Sequence, residues 1–169
     1  MAIAIYVFNR GPIANFTEEE ILGAVTESNY PTLCAQYGLD LDLIGLTLEH
    51  LRIVISDTAD PRYILVQYRG DGLRAILVNC WKGEATAQVI SQALSTATSE
   101  DVRSRLAQTK EVFTIALEAG QLHDLGRLLA YELARWAAVR GDGIVLALDG
   151  RWYRLNRHKA FLPLDLDHP

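Results

Sequence analysis

The sequence has 169 residues, enough for one domain that buries roughly 70% of the surface its unfolded chain exposes. Half of the residues are apolar, 22% are charged and only five are proline, which excludes the disordered and fibrous classes of protein. The formal net charge of −5 argues against a general nucleic-acid binder, because such proteins carry a basic domain or a basic stripe. No apolar stretch is long enough to cross a membrane.

The chain begins with a predicted strand and a capped helix. Residues 2–8 form an alternating apolar run that ends in a turn, which is typical of a strand. Thr17 is a predicted N-cap, because its hydroxyl can accept a hydrogen bond from the first turn of a helix and Glu20 follows three residues later. A helix that starts at Thr17 is therefore expected.

A proline and a glycine delimit the next helix. Pro31 breaks or kinks the first helix, and a second piece runs on to Gly38, which is a predicted C-cap. Residues 39–50 fit either an alternating strand or a helical turn, and the sequence leaves both readings open. Only the strand that follows, at residues 51–55, is predicted.

Two β-rich runs, residues 63–68 and 73–81, flank a Gly/Asp loop at residues 69–72. Glycine and aspartate tolerate the positive φ of tight turns, so the pattern predicts a β-hairpin. Both faces of its strands are mostly apolar, as expected where both sides of a sheet are covered, so we expect the hairpin to be central. Two helices are predicted after it, at residues 84–94 and 99–108.

A long amphipathic helix is predicted after a strand at residues 111–117. Apolar residues recur at three- and four-residue steps from Leu122 to Trp136, which places them in one stripe on a helix. We expect this stripe to lie in the core. Gly141 ends the helix, and residues 144–148 form the next strand.

The last predicted hairpin joins residues 144–148 to residues 151–155 through residues 149–150, Asp-Gly. Asp-Gly is a favoured two-residue hairpin loop. A two-residue loop places Trp152 opposite Ala147, and this register decides which side chains of the final strand reach the core.

These elements predict a single α+β domain over residues 1–169, with a mixed, largely antiparallel sheet and helices packed on it. The order strand, helix, strand, strand at residues 110–155 recurs loosely at residues 2–69. A β-α-β-β pseudo-repeat is therefore left as an open expectation.

The sequence holds few of the patterns that carry chemistry. It has no nucleophile elbow, phosphate-binding loop or dinucleotide-binding glycine motif, and no metal-ligating pair on one helix face. We therefore expect no metal site and no cofactor. Cys34 and Cys80 lie in apolar surroundings and are interpreted as buried thiols, with a disulfide between them left open. The first eight residues lack a basic leader pattern, so a cytoplasmic protein is expected.

The most unusual segment is residues 151–159, which hold four basic residues, one histidine and no acid. In the predicted register Trp152 and Arg154 share the face opposite the core, and both are exposed if no helix covers it. Tryptophan and arginine are enriched at the energetic centres of protein interfaces. The candidate binding surface therefore consists of Arg151, Trp152, Arg154, Arg157, His158 and Lys159.

The first hypothesis for function is a non-enzymatic, cytosolic protein-interaction domain, such as an adaptor, an inhibitor or an immunity-type binder, with an acidic protein partner. A nucleic-acid partner is the weaker version, in which bases stack on the aromatic side chain. The alternative is that these arginines pair with acids of their own fold, since residues 1–60 carry nine acids and two bases. A homodimer through a sheet edge or an apolar helix face is a third outcome, and no membrane partner is expected.

The second hypothesis is a small-molecule-binding or enzymatic domain with a site between the sheet and the helices. A polar pocket shared by two or more of its candidate groups would favour this hypothesis, whereas an exposed surface around Trp152 would favour the first. The candidate groups are His50, Asp57, Tyr68 and Glu132.

Overall fold

The structure is a computed structural model that describes residues 3–13, 15–40, 42, 48–70, 75–97 and 99–164. None of the helices in these ranges is long and apolar enough to cross a membrane. The labelled helices are α1 (Glu18–Thr26), α2 (Tyr30–Tyr37), α3 (Glu84–Leu94), α4 (Glu100–Ala107) and α5 (Leu125–Gly141). The strands are β1 (Ile3–Asn9), β2 (Arg52–Ser56), β3 (Arg62–Gln67), β4 (Ile76–Lys82), β5 (Glu111–Leu117), β6 (Gly143–Leu146), β7 (Trp152–Leu155) and β8 (Phe161–Pro163).

The described strands form one eight-stranded sheet in the order β2-β3-β4-β5-β1-β6-β7-β8. Each pairing between neighbouring strands is antiparallel. Helices α1, α2 and α5 cover one face, and α3 and α4 cover part of the other. The predicted α+β fold is therefore confirmed, and the strand predicted at residues 51–55 is β2.

The larger core lies between the sheet and helices α1, α2 and α5. On this face the strands contribute Ile5, Ile64 and Phe113, which have no solvent exposure. Helix α5 buries most of its residues between Leu125 and Trp136, so the predicted apolar stripe is confirmed. Each large apolar side chain buried in this way stabilises the fold by about 1.5–3 kcal/mol, which makes this core the main source of stability.

Side-chain caps set the ends of the first two helices. The Oγ1 atom of Thr17 accepts a hydrogen bond from the backbone N–H of Glu20 at 3.1 Å, which confirms the predicted N-cap. The Oδ1 atom of Asn29 accepts from the backbone N–H of Thr32 at 3.3 Å. Gly38 ends α2 in the left-handed conformation, with a φ of 68°, as the sequence predicts.

The β3–β4 hairpin forms as predicted but lies to one side of the sheet. The two middle positions belong to β5 and β1, so the expectation that this hairpin is central is wrong. The pseudo-repeat is not confirmed: only β1 lies between β5 and β6, whereas β5, β4 and β3 lie between β1 and β2. Two predicted features lie partly outside the described residues. They are the hairpin loop, at residues 71–74, and the segment 39–50 that fits either a strand or a helical turn, at residues 41 and 43–47.

The terminal hairpin differs from its predicted register by one residue. Leu146 lies opposite Trp152, and the backbone N–H of Ala147 donates to the carbonyl of Arg151 at 3.0 Å. The loop therefore has three residues, with Gly150 in the left-handed conformation at a φ of 77°. Because side chains alternate along a strand, a shift of one residue exchanges the two faces.

The observed register places Trp152 in a second, smaller core beneath α3 and α4. Its side chain has no solvent exposure, and its ring centroid lies 5.4 Å from that of Phe8. Val102 and Leu106 of α4 belong to the same buried cluster. The expectation that Trp152 is exposed beside Arg154 is therefore wrong, because helices cover that part of the sheet face.

The smaller core leaves the β2 side of this sheet face uncovered. The open sheet face is a row of five residues, one from each of five neighbouring strands, and contains no charge. Val54 at its outer end is 43% exposed. At about 4.8 Å between strands the row is roughly 19 Å wide. Its members are Val54, Leu65, Leu77, Ala116 and Ala4.

Replacing Trp152 with alanine should lower the free energy of unfolding by about 3–5 kcal/mol, because it deletes the largest side chain of the smaller core. Trp136→Ala, in the larger core, should lower the free energy of unfolding by a similar amount. Urea unfolding measures both. Arg154→Ala, an exposed neighbour on β7, is the matched control and should change stability by less than about 0.5 kcal/mol. A Trp152→Ala loss as small as that of the control would contradict the observed register.

Candidate functional site

The basic residues of the candidate surface are exposed, but they are not grouped around an exposed tryptophan. Trp152 is buried, and the bases are spread from the β6–β7 loop to the β7–β8 turn. Within the described residues, none of the four arginines and lysines involved forms an ion pair with an acid of the fold. The exposed members are Arg151, Arg154, Arg157, His158 and Lys159.

A five-residue turn between β7 and β8, residues 156–160, carries three of these side chains; we call it the basic turn. The Oδ1 atom of Asn156 accepts hydrogen bonds from the backbone N–H groups of His158, at 2.8 Å, and Ala160, at 3.0 Å. The backbone of Asn156 also pairs with Ala160 and with Lys159, at 3.0 and 2.9 Å. One asparagine therefore fixes the shape of the turn.

Helix α5 holds the basic turn in place through Arg135. The Nη1 atom of Arg135 donates to the carbonyl of Lys159 at 2.8 Å, and its guanidinium lies 5.0 Å from the ring centroid of Phe161 in β8. Lys159 has a positive φ of 63°, which is uncommon outside glycine, and this hydrogen bond holds it there. The turn is thus anchored from within and from the helix behind it.

Glu132 is the buried acid of this region. Its side chain is 5% exposed, its Oε1 atom accepts from Arg135 at 3.1 Å, and its Oε2 atom accepts from the hydroxyl of Ser28 at 2.6 Å. Both oxygens therefore have hydrogen-bond partners, as buried polar groups require. The contacts tie the α1–α2 link to α5 at the point where the basic turn meets the helix.

A cavity of about 470 Å³ lies in front of these groups; we call it the turn-side cleft. The α1–α2 link and the start of α2 form one wall, α5 forms the other, and His158 and Lys159 of the basic turn form the rim. A second cavity of about 760 Å³ lies beside it and shares Leu33, Glu132 and Arg135. Arg135 therefore stands between two cavities.

The four groups of the enzymatic hypothesis do not line one cavity in the described part of the chain. The hydroxyl of Tyr68 donates to the carboxylate of Asp124 at 2.8 Å, and Asp57 lies 3.7 Å from Arg62 at the end of β2. Glu132 is in the turn-side cleft, and the ring of His50 lies against Gly70. Of the four cavities described, none is lined by more than one of these groups, so none shows the convergence that would favour the enzymatic hypothesis.

The sequence offered one signal for the Glu132–Arg135 pair that the predictions did not use. Glu132 is the only acid in α5 and lies three residues before Arg135, inside a stripe that is otherwise apolar. Such spacing brings two helical side chains together and favours an internal ion pair. The partner Ser28 lies 104 residues away, and no local pattern indicates it.

The two cysteines are buried and unbridged, as the thiol interpretation predicts. Burial raises the pKa of Cys80 to about 12 and also raises that of Cys34, so both thiols stay protonated and unreactive near neutral pH. Among the described residues no group of three His, Cys, Asp or Glu side chains is placed to hold a metal ion.

Comparisons with protein-family models, with curated proteins and with solved structures found no match to this chain.

Alkaline pH should destabilise the protein partly through Tyr30, whose pKa is raised above its ordinary value by burial and by the nearby Glu132. The unfolded chain releases this proton from about pH 10, before the folded chain does. Stability is therefore complete below about pH 10 and falls as the pH rises from there. Urea unfolding between about pH 8 and 11 should show a shallower decline in Tyr30→Phe.

Tyr30→Phe also removes the hydrogen bond from the Tyr30 hydroxyl to the carbonyl of Val25, which is 2.6 Å long. We expect a loss of about 0.5–1.5 kcal/mol at neutral pH on that account. Burial and Asp124 raise the pKa of Tyr68 as well, so Tyr30→Phe/Tyr68→Phe should flatten the profile further. If stability fell equally steeply with pH in wild type and in both variants, the assignment of part of this loss to Tyr30 and Tyr68 would be contradicted.

Proposed function

We propose that the protein is a non-enzymatic interaction domain that binds an acidic protein surface through the basic turn and the neighbouring Arg154. One observation carries the proposal: Arg154, Arg157 and Lys159 are exposed and form no ion pair within the described residues, although the chain has a net charge of −5. Their charges are available to a partner. Complementary charge of this kind steers association and selects among partners.

The rigidity of the basic turn supports the same proposal. The hydrogen bonds of Asn156 and the contact from Arg135 fix the backbone that carries Arg157 and Lys159. A surface that is ordered before binding loses less conformational entropy when a partner docks. Because Trp152 is buried and supplies no aromatic anchor, we expect an electrostatic interface whose affinity falls as salt is added.

A cytoplasmic setting is part of this proposal. Cys34 and Cys80 are free and buried, which fits a compartment that keeps thiols reduced. None of the four described cavities holds two of the candidate groups, which weakens the enzymatic alternative, because acid–base catalysis needs its groups within reach of one substrate.

Charge reversal on the basic turn should abolish capture of the acidic partner. Baits of wild type, Arg154→Glu/Arg157→Glu and Arg52→Glu/Lys110→Glu would be compared in an extract of the native host. Each double variant lowers the net charge from −5 to −9, and all four residues are exposed, so the second variant is a matched control. We expect the first variant to lose a partner that the control keeps.

The purified partner then allows a direct measurement of affinity. Reversing the two arginines should weaken binding by about tenfold or more, and raising the salt concentration should weaken the wild-type complex. Equal recovery of every protein by all three baits would remove the basic turn from consideration. Equal loss in both variants would mean that net charge alone governs capture.

We also propose that a second copy of the chain covers the open sheet face. The five residues of this face carry no charge, and the nearest charge in β2 on the same side is Arg52 at the edge, so two copies can meet across the row without repulsion at its centre. Pairing through a sheet edge is less favoured, since Glu18 accepts a hydrogen bond from the backbone N–H of Ile55 in β2 at 3.3 Å and β8 contains Pro163.

Introducing a charge into the open sheet face should dissociate the dimer. Analytical ultracentrifugation should find a dimer for wild type and a monomer for Val54→Asp, because the new carboxylate would be buried against its own copy. Leu22→Asp, at another exposed apolar residue, on α1, is the control and should stay dimeric. A wild-type monomer at every concentration, or a dimer of Val54→Asp, would rule this arrangement out.

A further inference from the structure

We infer that the turn-side cleft binds a small organic molecule with one carboxylate and an apolar body. The cavity of about 470 Å³ is within the size range of small-molecule sites. Part of its wall is apolar and consists of Leu33, Trp136 and Val139. The rest is polar, so a bound molecule meets an apolar wall and a set of hydrogen-bonding groups.

Three of the charged side chains in the cleft are already used by the fold. Glu132 has both oxygens occupied, by Arg135 and by the hydroxyl of Ser28. Arg140 lies 2.6 Å from Glu20 and donates to the carbonyl of Asn15 at 2.7 Å. These groups shape the cleft, and they do not determine which ligand enters it.

The groups that remain free in the described structure are mostly hydrogen-bond donors. The ammonium of Lys159 and the hydroxyl of Thr32 have no partner there. The Nε atom of Arg157 donates to Nε2 of His158 at 3.2 Å, so that nitrogen is already occupied. Such donors fit an anionic oxygen group.

The unpaired charges of the cleft favour a singly charged anion over a dianion. Once the paired groups are set aside, Lys159 supplies one positive charge and Glu27, exposed at the rim, supplies one negative charge. A dianion such as a phosphate ester would bring more negative charge than Lys159 can offset beside Glu27. A monocarboxylate can pair with the ammonium of Lys159 and adds only one negative charge beside Glu27.

Three probes that share an aromatic body and differ in charge test whether the cleft prefers a monocarboxylate: cinnamate, cinnamamide and phenyl phosphate. Calorimetry and amide chemical shifts of the full chain would follow binding. We expect cinnamate to bind with a Kd of about 1 mM or tighter, with shifts at residues of the cleft, and cinnamamide to bind about tenfold more weakly. Phenyl phosphate should bind more weakly than cinnamate.

Lys159→Gln removes the free charge and keeps a polar, unbranched-chain residue that is one atom shorter. It should weaken cinnamate binding about tenfold and leave cinnamamide unchanged, while Lys110→Gln, an exposed lysine away from the cleft, should change neither. Absence of cinnamate binding at about 10 mM would overturn the inference. So would equal affinity for cinnamate and cinnamamide, a preference for phenyl phosphate, or an unaltered affinity in Lys159→Gln.

The inference stands apart from the proposed function. Arg154 does not line the cleft, so Arg154→Glu should still bind cinnamate when it captures less of the protein partner. Loss of cinnamate binding in that variant, with its fold intact by circular dichroism, would contradict a separate site.

Discussion

The insertion of β1 between β5 and β6 is the constraint on which the rest of the structure depends. β1 pairs with β5 along its whole length and with β6 over its second half, so it alone joins the two parts of the sheet. Its side chains alternate between the two cores, with Ile5 and Val7 in the larger and Phe8 in the smaller. Asn9, at the end of β1, also explains why residue 143 is a glycine, because a Cβ at Gly143 would collide with the buried side chain of Asn9.

The position of β6 beside β1 then determines what β7 displays. Ile144 lies opposite Phe8, so this face of β6 belongs to the smaller core, and Trp152 follows it through the hairpin register. Arg154 lies two residues further along the same face and is exposed. The basic turn comes next, where Arg135 of α5 can reach the carbonyl of Lys159. The pairing of β6 with β1 at the centre of the sheet therefore determines where the exposed basic side chains lie.

Features that depend on a few neighbouring residues could be predicted from the sequence. The N-cap at Thr17, the C-cap at Gly38 and the stripe of α5 are set by local hydrogen bonds and by helical spacing. The register of the last hairpin could not be predicted, because two- and three-residue loops both fit Asp-Gly and the choice depends on burying Trp152. The sheet order and the Ser28–Glu132 hydrogen bond join distant segments, and no local pattern encodes them.

The distinction between paired and free charges separates the parts of this surface that serve the fold from those available for binding. Arg135 and Arg140 each bind an acid and a backbone carbonyl, so their loss would leave buried or half-buried partners unsatisfied. Arg157 and Lys159 satisfy no acid among the described residues, and the shape of the turn comes from Asn156. Since the fold gains no ion pair from these two side chains, substitutions there change the surface and leave the scaffold that presents it intact.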